Sequence, residues 1–158
     1  MGLDADIALF CAKLDAAIDK AMQGVVADTT KATMAEVIET EVYAKYDSRA
    51  GDPYIRRRAN GGLQDPENME ASYDGADKTL TVENVTMDNG YSLESGNRRV
   101  APVVESGEGY TWTSSKMYKH PIARPFHKKT EEQMGNGLFE QALDWSLRTE
   151  SGLDAQIV

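Results

Sequence analysis

Two short runs constrain this chain more than any other feature: Val100-Ala101-Pro102-Val103-Val104-Glu105-Ser106-Gly107 and Pro121-Ile122-Ala123-Arg124-Pro125-Phe126. The first is apolar and stops at a glycine; the second leads into a helix. Between them, residues 108–120 hold Tyr110, Trp112, Met117 and Tyr118 with no apolar period. Long patternless segments inside compact domains are usually functional or disordered. Disorder goes with few aromatics, and three aromatic residues stand here. The segment is therefore expected to be an arm ordered against a neighbouring subunit, where Tyr and Trp bury large area at low entropy cost. Packing within its own domain is the alternative.

The flanking regions are more regular. Ile7, Phe10, Cys11, Leu14, Ala17, Ile18, Ala21 and Met22 recur at three- and four-residue steps, the stripe of an amphipathic helix. Asp4 fits its N-cap and Gly24 its end or a weak point. Cys11, inside that stripe, is expected to be a small buried hydrophobe. As the single cysteine it permits no intrachain disulfide. Thr33 followed by Glu36 fits a capping box, and Met34, Val37, Ile38, Val42 and Tyr46 form a second stripe, so a helix is predicted over about residues 30–46. Whether the two helices are separate or one kinked rod stays open. A face this apolar must cover a sheet or a partner subunit.

Residues 69–73 and 79–85 predict two strands joined by a turn at Asp74-Gly75. Leu80 and Val82 alternate with Thr79, Thr81 and Glu83, which suggests an antiparallel sheet with one wet face. Residues 100–105 fit a third strand or a short helix, and residues 110–118 a further strand or hairpin arm. After Pro125 a short helix begins. Gly135-Asn136-Gly137 breaks or kinks it, and Leu138, Phe139, Ala142, Leu143, Trp145 and Leu147 give a last helix to about residue 149. Helices at the ends and strands in the middle indicate α+β. The expected layout is N-terminal helices, a central antiparallel sheet with a long extended arm at about residues 87–120, and a C-terminal helix. All of it should form a single domain over residues 1–158.

Charge and composition narrow the function. Seventeen basic residues against 26 acidic ones give a net charge of −9, which argues against a protein whose main task is gripping nucleic acid. Arg56-Arg57-Arg58 is the densest positive charge in the chain. It offers a contact with DNA or an acidic partner, or else three arginines paired with local carboxylates. His120 and His127 are the only histidines and are separated by Pro121 and Pro125, too few ligands for a metal site. There is no phosphate-cradling glycine loop with its lysine and no nucleophile elbow. The expectation is no enzyme, no cofactor and no metal. A basic region followed by an apolar run is missing at the N-terminus, and no apolar stretch reaches the length of a membrane span. A reducing, aqueous compartment is expected.

The two opening runs, the aromatic arm between them and the closing helix together resemble the minor tail-component family of tailed bacteriophages, the tail-completion or head–tail joining proteins. Tyr54-Ile55-Arg56-Arg57, Asn60-Gly61-Gly62-Leu63 and Leu80-Thr81-Val82-Glu83-Asn84 extend the likeness, which covers roughly residues 40–135. The segment 87–99 is longer than that family leads one to expect, and Glu108 stands where it usually has Thr. The resemblance implies a non-enzymatic virion subunit, assembled in the host cytoplasm, that forms a homo-oligomeric ring (six-fold or twelve-fold). Its implied neighbours are neck, tail-tube or connector proteins, with DNA passing through the lumen without specific binding. On that reading Tyr110, Trp112, Met117, Tyr118, Arg124 and Phe126 supply the subunit interface. A head-closure ring on the capsid side and a nucleic-acid-binding or nuclease accessory protein using Arg56, Arg57, Arg58 and the histidines are the alternatives.

Overall fold

The computed structural model of the chain describes residues 3–45, 56–88, 98–111 and 116–150. Their arrangement is α+β. Helical backbone runs without a break from Leu3 to Tyr43, as α1 (Leu3–Ala21), a π turn (Met22–Val26), α2 (Ala27–Ile38) and a second π turn (Glu39–Tyr43). The polar interruption Asp28-Thr29-Thr30 does not end the helix, because the Thr30 hydroxyl donates to the Val26 carbonyl at 2.8 Å and is satisfied within it. Thr33 and Glu36 consequently lie inside α2, and the capping box expected of them does not form. Gly24 falls in the first π turn and does not stop the chain; such turns interrupt helices locally.

A hairpin follows, β1 (Met69–Asp74) paired with β2 (Thr79–Asn84). Leu80, Val82 and Asn84 are the covered positions of β2, alternating with exposed Thr79, Thr81 and Glu83, as the period of two requires. The connecting turn takes its positive φ at Lys78 (φ 54°), where Asp-Gly had suggested Gly75. Asp74 fixes the turn's start by accepting from the Ala76 N–H at 2.8 Å. Residues 101–106 are helical, not a third strand: α3 (Ala101–Ser106) carries Pro102 in its first turn, where a missing N–H costs nothing. The chain continues as α4 (Lys116–Lys119), α5 (Phe126–Gln133), a third π turn (Met134–Leu138) and α6 (Phe139–Glu150). Gly137, at φ 102°, and Asn136 leave helical geometry there, as the Gly-Asn-Gly run predicts.

The chain divides into two compact units. One comprises Met1–Thr30, Ala71–Val82 and Gln133–Val158. Its core holds Met22, Val26 and Ala142, with Ile18, Val25, Tyr73, Leu80, Phe139 and Leu143 packed against them. The other comprises Lys31–Glu70 and Glu83–Glu132, and buries Met34, Val37, Ile38, Val42, Leu63, Met69, Ala101, Val104 and Phe126.

Cys11 is exposed rather than buried. Its neighbours Leu3, Ile7, Leu9 and Phe10 are exposed as well, so no residue of the first half of α1 is buried.

Candidate functional site

The two opening runs meet. Gly107 ends α3 in the left-handed region at φ 75°, and its N–H donates to the Val103 carbonyl at 3.0 Å. A Cβ there would lie 2.5 Å from the Ile122 carbonyl carbon, so only glycine lets the second run pass this close. The Arg124 N–H bonds the Val104 and Glu105 carbonyls at 3.1 and 3.2 Å. The Arg124 side chain is buried, and its guanidinium donates to the Tyr110 hydroxyl. Phe126 is 0% exposed. These two residues were expected at a subunit interface; both are instead spent inside their own unit, anchoring the start of α5.

His127 continues the anchor. Its backbone N–H donates to Glu105 Oε1 at 2.7 Å, and its Nδ1 lies 3.0 Å from the same oxygen. Its Nε2 accepts the Asn84 N–H at 3.2 Å. The Asn84 amide in turn donates to the Leu63 carbonyl at 2.7 Å and accepts from the Thr86 N–H at 3.2 Å. Glu105, Asn84 and His127 thus tie α3, β2 and α5 together, a role that nothing in their sequence spacing signals.

The outward side of the same region is different. Tyr118 and Ile122 are 49% and 50% exposed, and Lys119, His120, Pro121 and Ala123 are exposed with them. The segment expected as an arm over about residues 87–120 opens with an antiparallel bridge between Met87 and Arg99, with the Asp88 N–H bonded to the Arg98 carbonyl at 2.8 Å. Trp112, the Met117 side chain and the turn signals at residues 51–53 and 89–90 lie outside the described residues.

The arginine triplet is engaged within the chain. Arg58 Nη1 lies 3.1 Å from both Glu39 carboxylate oxygens. Arg57 Nη2 donates to the Met87 carbonyl at 2.6 Å, and Arg56 Nη1 to the Tyr43 carbonyl at 3.1 Å. The guanidinium carbons of Arg56 and Arg58 stand 5.4 and 5.2 Å from the Tyr43 ring centre, within cation–π range. Arg58 thus faces a carboxylate, and Arg56 and Arg57 reach backbone carbonyls.

In the other unit, Tyr73 Oη and Lys78 Nζ both donate to Asp19 Oδ1, at 2.7 and 2.6 Å, and Lys78 also faces Asp15 at 3.7 Å. The hydrogen bond from Lys78, then that from Tyr73, holds the Asp19 carboxyl below its ordinary range. The bond to Asp19 raises Lys78, and partial burial followed by the Asp19 bond raises Tyr73. A shallow depression lined by Gln23, Ala71, Tyr73 and Leu80 adjoins this cluster. Among the described residues no group of three or more His, Cys, Asp or Glu could hold a metal ion, and no helix is long and apolar enough to cross a membrane.

Comparison with known proteins adds ancestry. The chain is 32% identical over 93 residues to the SPbeta prophage-derived protein YomN of Bacillus subtilis (strain 168), which covers 56% of this chain and 65% of the relative. The matched part thus spans just under two thirds of that relative's length. No solved structure matches. The family model described as YomN matches residues 8–149, and the chain belongs to the YomN family.

Proposed function

We propose that this chain is a structural protein of a phage virion, a self-assembling ring subunit of the neck that completes the tail and joins it to the head, without enzymatic activity. The prophage origin of the relative supports the phage setting. The neck position rests on the resemblance carried by residues 100–107 and 121–126. The observation that carries the assembly reading is the exposed apolar stripe in the first half of α1. Ile7 and Phe10 are 52% and 53% exposed beside an exposed Leu3, spaced four and three residues apart on one helix face. Large apolar side chains grouped this way mark an interaction surface.

The charge of −9 suits a ring whose lumen passes DNA, since it repels phosphates instead of trapping them. The engagement of Arg56, Arg57 and Arg58 with Tyr43, Met87 and Glu39 counts against a nucleic-acid-gripping role. Electron microscopy of the purified chain, alone and mixed with tail tubes, tests the proposal. Closed rings that cap tube ends support it; particles of single-chain size in both samples overturn it. The isolated chain is also expected to show no salt-sensitive binding to duplex DNA in an electrophoretic shift assay.

A further inference from the structure

A ring needs two different patches on each copy, one meeting the other. Two of the apolar patches on the described surface have side chains of opposite charge flanking them in sequence. On α1, Leu3, Ile7 and Phe10 are exposed, with Asp4 and Asp6 beside them and no basic residue within residues 3–10. After α3, Tyr118 and Ile122 are exposed, with Lys119 between them. Residues 116–123 include Lys116 and Lys119 and no acidic residue.

We infer that the acid-edged apolar face of α1 in one copy receives the base-edged strip of residues 118–122 of the next copy. This rests on the ring reading above and names both halves of its contact. Copies of a chain with net charge −9 repel one another at long range, so a contact between copies needs local charge of opposite sign, and this pair of patches supplies it. In this contact Tyr118 and Ile122 pack against Ile7 and Phe10, and Lys119 faces Asp4 or Asp6. Because a helix face meets a different surface, the contact repeats from copy to copy, as a heterologous interface does.

Two full-length variants test this, one carrying Ile7→Asp and Phe10→Asp, the other Tyr118→Asp and Ile122→Asp. Each keeps one intact patch, all four positions are exposed, and the melting temperature of each variant is compared with the parent's. Should either aspartate form melt early, the same pair of chains is made with alanine at those positions. Native mass spectrometry is expected to find each variant monomeric alone and a one-to-one heterodimer on mixing. A mixture that stays monomeric overturns the inference, as does an arm variant that still pairs with itself through α1. If the mixture pairs but the parent gives only open chains in micrographs, the contact stands and the ring reading fails. If the parent forms closed rings and the mixture does not pair, the ring reading stands and this contact fails.

Discussion

Asn84 shows what a single residue holds in place here. It is buried, and its amide uses both ends, donating to Leu63 and accepting from Thr86, while its own N–H reaches His127. Asn84→Ala would strand a carbonyl and an N–H away from water, a loss of about 1–3 kcal/mol per unsatisfied group. Urea unfolding of the variant should show a lower midpoint with an unchanged slope. Phe126, fully buried, is the larger test: Phe126→Ala should cost about 3–5 kcal/mol by the same measurement, which an interface residue would not. The Asp19 cluster predicts a pH dependence. Asp19 is lowered on folding, so its contribution is complete above about pH 4 and fades as pH falls through its depressed folded value. Lys78 and Tyr73 are raised, so theirs is complete below about pH 10 and fades as pH rises through their folded values. Asp19→Asn should therefore lower Tm by a constant amount between about pH 5 and 9, and the gap from the parent should close in acid.

Elements differ in how readable they are. The hairpin of β1 and β2 follows from its alternation, because a period of two decides which side of each residue is covered wherever the strand lies. The helix α6 and the break at Gly137 are readable for the same local reason. The join of α1 to α2 is not. A threonine that bonds back to its own helix, as Thr30 does to Val26, carries the same letters as one that ends a helix. Nor does a stripe say how much of it is covered: Cys11 shares its face with Ile7 and Leu14, yet Cys11 and Ile7 are exposed. The run at residues 100–105 left strand and helix open, and the resolution comes from a distant partner, the strip around Ile122 that passes Gly107. Arg57, Arg58 and His127 find partners 19 to 43 residues away, which no spacing rule reaches. At this scale the expected outcome concerns Gly107. Gly107→Ala meets both a left-handed backbone and the Ile122 carbonyl carbon. The loss should exceed the roughly 1–2 kcal/mol of the backbone term alone, and thermal melting checks it.

For the whole molecule, the half-exposed apolar side chains on the α1 face and on the strip around Tyr118 are costly to leave in water. Substituting them should leave folding alone and abolish assembly, the reverse of Phe126→Ala and Asn84→Ala. That separation between residues that hold the subunit and residues that join subunits is the account's central claim. The most direct measurement is the solution mass of the parent protein by light scattering across a range of concentrations. The account predicts one discrete closed assembly of several copies that persists on dilution. A single-chain mass at every concentration would contradict it.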